Sequence, residues 1–135
     1  MIRFVLDTDS CIFWLKGHRS LEKRILDVGV EQVGICVITA CELAYGAWKS
    51  QRRQENLRVL ERLHRTIQTL HTTEGVSRLF GQWKASLEGQ GVGLDDADLL
   101  IASIAHVHGC VLVTNNLTHF RRIPDLVVDN WLSTT

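Results

Sequence analysis

Acidic, hydroxyl and amide side chains stand at the ends of the predicted strands of this 135-residue chain. Asp7 directly follows the apolar run at residues 2–6, and Glu42 comes shortly after a second apolar run. Asp98 lies in the first turn of a helix that leads into a fourth strand, which ends in Thr114 and Asn116. Because the carboxyl ends of parallel strands meet at one edge of a sheet, where ligands bind, we expect these side chains to converge there.

Carboxylates that converge in this way favour the binding of a divalent cation. Asp7 ends a buried strand, where a carboxylate without compensation is unfavourable. At ~6 Å and an effective dielectric constant of ~20, each pair of carboxylates repels by ~3 kcal/mol. A divalent cation removes this repulsion, and ligands that are all oxygen suit Mg²⁺ or Mn²⁺. Such an ion acidifies water and neutralises a phosphate under in-line attack, so the predicted reaction class is phosphodiester hydrolysis.

Each of these positions also has a purely structural explanation as a helix cap. Thr39-x-x-Glu42 has the pattern of a capping box, with a hydroxyl at the N-cap and a Glu three residues later. Asp95-x-x-Asp98 fits a helix start in the same way, and Asp9 or its neighbour Ser10 fits the N-cap of the first helix. Taken singly the positions favour capping, whereas together they favour a shared site.

An alternation of strands and helices must position these residues. Apolar runs predict strands at residues 2–6, 32–38, 67–71, 111–113 and 126–128, and helical spacing predicts helices over residues 11–28 with a break near 17–18, 39–48, 52–65, 74–89 and 95–108. Strands that alternate with helices indicate an α/β domain. We expect a mainly parallel sheet of four to five strands with helices on both faces.

The length and composition indicate a single globular domain over residues 1–135. Apolar residues make up 45% of the chain, and 15 Lys and Arg balance 15 Asp and Glu. This balance excludes a disordered tail and gives no attraction of the whole chain to nucleic acid or anionic lipid. No apolar run approaches a membrane span or a secretory signal. The four cysteines lack the spacing of a metal finger, so we expect reduced, mostly buried thiols and a cytoplasmic protein.

Positive charge concentrates between residues 49 and 65. Six basic residues face only two glutamates in this stretch: Lys49, Arg52, Arg53, Arg58, Arg62 and Arg65 against Glu55 and Glu61. A solvated helix face accounts for the stretch more simply than a nucleic-acid patch, and both interpretations stay open. Tyr45 and Trp48, on the helix after Glu42, fit either an exposed groove for a partner or the core.

Four segments resemble the PIN-domain ribonucleases, and within that group the VapC toxins of bacterial VapBC toxin–antitoxin modules. They read Phe-Val-Leu-Asp-Thr-Asp-Ser-Cys-Ile at residues 4–12, Ile-Thr-Ala-Cys-Glu-Leu-Ala-Tyr-Gly-Ala at 38–47, Asp-Leu-Leu-Ile-Ala at 98–102 and Val-Leu-Val-Thr-Asn-Asn at 111–116. The ending Val-Asp-Asn-Trp at 128–131 also matches. The resemblance spans nearly the whole chain, and its specificity comes from the order and separation of the segments.

The resemblance implies a PIN-like three-layer sandwich with an acidic pocket that binds Mg²⁺ or Mn²⁺. The three acids of the family correspond to Asp7, Glu42 and Asp98. These are also the residues that the strand-end argument selects. The implied roles place the ion between Asp7 and Asp98, with Glu42 completing the metal site directly or through water.

A fourth acid of the family often stands in the loop after the fourth strand, where this sequence has Asn116 or His119. Asn116 is expected to position a water molecule or to hold Asp7 through its amide, with Thr114 assisting. The family usually has Asn two residues after its first acid, and Asp9 in that position adds negative charge near the site.

The resemblance also implies the function of a type II toxin. It is expected to be a metal-dependent endoribonuclease that cleaves structured RNA, transfer RNA foremost, and so arrests translation. The implied partner is a VapB-like antitoxin whose C-terminal segment lies across a hydrophobic groove and places a basic side chain in the acidic pocket. The resemblance further implies a homodimer and a larger toxin–antitoxin complex. DNA is expected to be contacted only through the antitoxin, and no membrane is involved. Two alternatives are a PIN nuclease of RNA processing without an antitoxin, and a catalytically inert PIN module that binds RNA or a partner.

Overall fold

Five parallel strands form one sheet in the computed structural model, which describes residues 1–132. The strands are β1 (Phe4–Leu6), β2 (Val33–Cys36), β3 (Gln68–Leu70), β4 (Val111–Val113) and β5 (Val128–Asp129). The helices are α1 (Thr8–Leu15), α2 (Arg19–Val28), α3 (Val37–Lys49), α4 (Arg53–Thr66), α5 (Glu74–Gly89), α6 (Asp96–Val107) and α7 (Leu117–Phe120), and a 3-10 turn covers Val30–Gln32. The predicted α/β fold is confirmed, and the last three residues of the predicted domain lie outside the described part.

Helices cover both faces of the sheet, so the central strands are apolar on both sides. Val5 and Leu112 belong to a core that β1 and β4 share with α5 and α6. Leu6 and Val113, one residue further along the same strands, belong to a second core with α1 to α4, where Trp131 also packs. Three layers result, in agreement with the predicted sandwich. Between residues 1 and 132, no helix combines the length and the apolar character needed to cross a membrane.

The strands lie in the order β3-β2-β1-β4-β5, so the direction in which successive strands are added to the sheet reverses at β1. The chain runs outward from β1 to β2 and β3, and then returns to β4 on the opposite side of β1. The crevice at the carboxyl ends of β1 and β4 is therefore the position at which an open parallel sheet binds ligands. Helices α1 and α3 begin directly after β1 and β2, so their positive N-terminal ends lie at the same edge.

The start of α3 differs from the prediction. Strand β2 ends at Cys36, which has extended backbone angles and is the N-cap of a helix that begins at Val37 rather than at Thr39. Val37 and Ile38 are apolar and pack against the core from the first turn of the helix. The apolar run therefore continues across the boundary between strand and helix, which makes the strand look longer in the sequence than it is.

Other bounds agree to different degrees. The predicted helix 74–89 and strand 111–113 have the bounds of α5 and β4, and the predicted break at residues 17–18 separates α1 from α2. The last strand is Val128–Asp129 rather than residues 126–128. The prediction missed α7 because a helix of four residues is too short to show a period.

Three of the four thiols are buried, as predicted, and all four are free. Burial, together with the charge of nearby Asp7, raises the pKa of Cys11 to about 12. Burial also raises the pKa of Cys36 and of Cys110. Cys41 on α3 is the exposed exception. The buried thiols therefore stay protonated and take part in packing, not in chemistry.

Gly34 provides a test of the packing between β2 and β3. A Cβ atom at this position would lie 2.8 Å from the carbonyl oxygen of Gln68 and 3.3 Å from a methyl group of Ile2. The carbonyl belongs to the sheet and cannot rotate away, so we expect Gly34→Ala to lower the free energy of unfolding by about 1–3 kcal/mol. Urea denaturation measures the change.

The matched control is Gly81→Ala in α5, because a Cβ atom there would meet nothing within 4 Å. We expect this variant to keep or gain up to about 1 kcal/mol of stability, since Ala favours a helix. Equal stability of the two variants would contradict the close approach of β2 to β3.

Candidate active site

Asp7 joins the end of β1 to the start of α1. Its backbone N–H donates to the carbonyl oxygen of Val113 at 2.9 Å, which extends the pairing of β1 with β4 by one residue. Its side chain is the N-cap of α1 and accepts a hydrogen bond from the N–H of Ser10 at 2.8 Å. The hydroxyl of Thr114 also donates to this carboxylate. The structure thus gives the capping role to Asp7, and the prediction of Asp9 or Ser10 as the cap is wrong.

The Asp7 carboxylate is poorly compensated. The residue is only 6% exposed, and burial raises the pKa of its carboxyl group above the usual value. The hydrogen bonds from Thr114 and Ser10 lower this pKa, whereas the charge of Asp9 raises it. No Lys or Arg in residues 1–132 forms an ion pair with Asp7. A buried carboxylate in this situation is stabilised when a cation approaches it.

Glu42 lies in the second turn of α3 and is oriented by Thr8. The hydroxyl of Thr8 donates to Oε1 of Glu42 and lies 3.1 Å from the hydroxyl oxygen of Thr39. Thr39 is the third residue of α3 and is buried, so it does not cap the helix, and the predicted capping box of Thr39 and Glu42 is wrong. Thr8 was not among the predicted site residues, although a hydroxyl directly after a strand-end acid was a signal for it.

Asp98 lies in the first turn of α6, beside His119 of α7. Its Oδ2 atom is 3.3 Å from Nε2 of His119, although the two groups are not aligned for a hydrogen bond. Partial burial raises the pKa of Asp98, the adjacent His119 lowers it, and the charges of Asp95, Glu42 and Asp7 raise it. The charges of Asp7 and Glu42 act on Asp98 because the folded chain brings these three acids to the same edge of the sheet.

The loop after β4 contributes a hydroxyl and an imidazole to this edge. The buried hydroxyl of Thr114 accepts a hydrogen bond from the N–H of Asn116 at 3.0 Å while it holds Asp7. Asn116 is exposed, and its contact with the site is made by its backbone. Of the two residues considered for the position of a fourth acid, His119 is the one that lies against a carboxylate, that of Asp98.

Asp95 and Asp96, the other two acids of the motif around Asp98, are exposed. Asp95 is the N-cap residue of α6, as predicted, but its side chain makes no capping hydrogen bond. Asp96 pairs with Lys84 at 2.9 Å on the surface. Both acids are exposed, in contrast to Asp7, although the charge of Asp95 still acts on Asp98.

The residues at this edge fit a hydrated divalent cation. Two buried polar atoms here lack an aligned hydrogen-bond partner in the described chain: Oγ of Ser10, beside Asp7, and Nε2 of His119, beside Asp98. Such atoms are normally satisfied by water or an ion. Residues 1–132 contain no ready-made cluster of three His, Cys, Asp or Glu ligands. Mg²⁺ needs only one or two carboxylates because it keeps several waters, and the oxygen donors present match that requirement.

Comparisons with known proteins identify the family. Residues 4–126 match the family model of the PIN domain. The chain is 34% identical to the tRNA(fMet)-specific endonuclease VapC of Salmonella typhimurium over 97% of its length and 99% of that protein. It is 36% identical to ribonuclease VapC2 of Haemophilus influenzae over 98% of its length and all of that protein.

A solved structure gives the same result at the level of the fold. The crystal structure of DNA-bound VapBC from Salmonella typhimurium contains a chain that superposes with a TM-score of 0.91 at 35% identity, covering 97% of this chain and 99% of that one. The fold is thus that of a PIN-domain nuclease. The chain belongs to the PIN-domain family and, within it, to the VapC ribonucleases.

The raised pKa of Asp98 makes a prediction about stability. The pKa of Asp98 is higher in the folded state than in the unfolded chain. Its favourable contribution to the free energy of unfolding is therefore fully present below the unfolded-state pKa and is lost as pH rises through the folded-state pKa. We expect Asp98→Asn to raise the free energy of unfolding at neutral pH. Solvent screening of this partly exposed group limits the gain to about 1 kcal/mol or less.

Urea denaturation from acidic to neutral pH measures this effect, and the pH dependence should be flatter in Asp98→Asn than in the wild type. Asp96→Asn is the matched control on the same helix, because it removes only the exposed ion pair with Lys84 and should not stabilise the protein. A loss of stability in Asp98→Asn at neutral pH would show that the charge of Asp98 is well compensated.

Proposed function

We propose that this chain is the toxin of a type II toxin–antitoxin module: an endoribonuclease, dependent on Mg²⁺ or Mn²⁺, that cleaves transfer RNA and so arrests translation. The observation that carries the proposal is the convergence of Asp7, Glu42 and Asp98 at the carboxyl edge of the sheet, without a Lys or Arg among their ion-pair partners in residues 1–132. The Salmonella relative is named for cleavage of tRNA(fMet), which supports transfer RNA as the first substrate to test.

Asp7 and Asp98 would hold the metal ion, and Glu42 would complete the site directly or through water. When bound, such an ion supplies neutralisation of the phosphate charge and acidification of water. Hydrogen bonds within the protein orient two of these acids before metal or RNA binds. Thr114 and the N–H of Ser10 orient Asp7, and Thr8 orients Glu42. Preorganised groups of this kind lower the entropic part of the barrier.

The proton of the attacking water has a defined acceptor in this proposal. Glu42 is exposed at the edge, and Thr8 engages only its Oε1 atom. Its Oε2 atom takes the proton while the water oxygen forms its bond to phosphorus. The ester bond to the leaving nucleotide then breaks, and solvent protonates the leaving oxygen. Glu42 is the most solvated of the three acids, which suits a group that must exchange its proton with bulk water.

Substitution of the ligands tests the reaction. We expect Asp7→Asn and Asp98→Asn each to reduce cleavage of initiator tRNA in Mg²⁺ by about 100-fold or more, since loss of even the groups that orient a metal ligand reduces activity by about 10- to 100-fold. Asp96→Asn, on the same helix as Asp98, should cleave at the wild-type rate. Wild-type activity in Asp7→Asn would contradict the assignment.

The RNA target and the inert alternative need separate measurements. Sequencing of RNA ends after expression of the wild type, compared with Asp7→Ala, identifies the cleaved RNA in the cell. Isothermal titration calorimetry with Mn²⁺ measures metal binding independently of cleavage. If the wild type does not bind Mn²⁺ and Asp98→Ala does not change activity, the results would favour a PIN module that binds RNA or a partner without cutting.

An apolar groove next to the acidic edge supports an antitoxin as the partner. It has a volume of about 360 Å³, lies between α1, α3 and α4, and includes Glu42 in its wall. Its apolar lining comes from Ile12, Leu15, Leu43, Ala47, Val59 and Leu60. We propose that the C-terminal segment of a VapB-like antitoxin occupies this groove and places a basic side chain beside the carboxylates. Assembly as a homodimer, with DNA bound through the antitoxin, extends the same proposal and is supported by the DNA-bound VapBC relative.

Gly46 lines the groove and provides a way to block it. A Cβ atom at Gly46 would meet nothing within 4 Å, so a larger side chain enters the groove without disturbing the fold. We expect Gly46→Trp to weaken binding of the antitoxin encoded beside the toxin gene by about 30-fold or more, equivalent to the loss of a hot-spot contact of ~2 kcal/mol.

Co-purification and calorimetry of the purified pair measure this affinity. Gly81→Trp on α5 is the matched control, because a Cβ atom at Gly81 is equally free of contacts but lies outside the groove. Antitoxin binding of wild-type strength in Gly46→Trp would place the antitoxin on a different surface.

A further inference from the structure

The end of α3 and the start of α4 form an exposed surface that neither the acidic edge nor the apolar groove uses. We call it the aromatic corner and define it by Tyr45, Trp48, Lys49, Arg52 and Arg53. Tyr45 is 67% exposed and Trp48 is 56% exposed, whereas Trp83 and Trp131 are buried in the two cores. Large aromatic side chains that stay in solvent together are typical of an interaction surface.

A positively charged side chain lies against each aromatic ring of the corner. Nζ of Lys49 lies 5.6 Å from the ring centroid of Tyr45, and Cζ of Arg53 lies 5.1 Å from that of Trp48. Arg53 is also fixed by a hydrogen bond from its Nε to the carbonyl oxygen of Trp48 at 2.9 Å. The rings and the positive charges are therefore held next to each other before any partner arrives, which lowers the entropy that binding must remove.

The charge of the corner favours a polyanion over a protein surface. Residues 48–58 contain four basic side chains and one acid, Glu55, in a chain without net charge. The pair of Arg52 with Glu55, at 3.9 Å, is largely exposed and neutralises little. Aromatic rings interleaved with basic side chains are the composition of surfaces that bind single-stranded nucleic acid.

The corner is close to the proposed site of cleavage. Glu42, Tyr45 and Lys49 follow one another at intervals of three and four residues, so they lie on one face of α3. Trp48 is six residues after Glu42, about 9 Å along the helix axis and about 120° around it, and Tyr45 lies between them. At ~3.4 Å per stacked nucleotide, an RNA strand with a phosphate at Glu42 reaches Tyr45, the near side of the corner, within about three nucleotides.

We propose that the aromatic corner binds unpaired bases of the RNA substrate next to the scissile phosphate. Bases stack on Tyr45 and Trp48, and Lys49 and Arg53 contact the adjoining phosphates. The inference rests on the proposed function, because it takes RNA as the molecule at the acidic edge. Stacking requires bases that are not paired, so the corner selects a single-stranded loop of a structured RNA.

Binding is measured without cleavage, on the full chain in EDTA, by fluorescence anisotropy with a short fluorescein-labelled oligoadenylate. We expect Trp48→Ala and Tyr45→Ala each to weaken binding by about 5- to 150-fold, the range for loss of one stacked base. Trp48→Phe keeps a ring and should retain most of the affinity. Arg53→Ala should reduce the slope of log K against log salt concentration by about 0.7, the value for one phosphate contact on a single strand.

Two variants elsewhere on the surface are the matched controls. Leu26→Ala on α2 removes an apolar side chain at a residue that is 70% exposed, and Arg78→Ala on α5 removes an exposed positive charge that pairs with Glu74. Both should bind the oligoadenylate as the wild type does. Far-ultraviolet circular dichroism confirms that each variant is folded, and Trp48→Phe separates loss of stacking from loss of structure.

Three results would overturn the inference: no binding of oligoadenylate by the wild type, wild-type affinity in Trp48→Ala and Tyr45→Ala, or loss only of self-association or antitoxin binding in these variants. The last result would make the corner a protein interface. Failure of the proposed function gives a different pattern, in which the wild type binds oligoadenylate through Trp48 but cleaves no RNA in Mg²⁺.

Discussion

The constraint on which this structure depends is a carboxylate placed at the end of a buried strand. Asp7 cannot be solvated by water there, so the fold surrounds it with dipoles: the N–H of Ser10, the hydroxyl of Thr114 and the positive end of α1. These dipoles do not offset its desolvation fully, because the pKa of Asp7 is still raised. The remaining imbalance is the basis of the proposed metal site, because the order of the strands brings Asp98 and Glu42 to the same edge.

Hydroxyl groups, rather than positive side chains, orient these acids. Thr114 holds Asp7, and Thr8 holds Glu42 and contacts Thr39. A Lys or Arg in their place would neutralise the carboxylates and compete with a metal ion, whereas a hydroxyl fixes the direction of an oxygen and leaves its charge in place. The fold thereby keeps negative charge concentrated at one edge.

The sequence contained enough information to select Asp7, Glu42 and Asp98, because apolar runs reveal where strands end and a parallel sheet brings these ends together. It did not reveal that Asp7 caps α1 or that Thr8 orients Glu42, since the bond from Thr8 to Glu42 joins residues 34 positions apart and depends on the distance between two helices. The start of α3 was missed for a related reason: Val37 is apolar whether it ends a strand or begins a buried helix turn.

A surface of concentrated acids repels RNA, and this chain has no net positive charge to offset that repulsion. A metal ion bound at the acidic edge would neutralise the local charge but would not hold the rest of a polyanion. Affinity must therefore come from a separate surface within a few nucleotides of the reacting phosphate. Tyr45 and Trp48 directly precede the positive stretch at residues 49–65, and their rings contact two of its cations, Lys49 and Arg53. Stacking on such rings does not depend on net charge, so a neutral protein can bind RNA beside an acidic catalytic site.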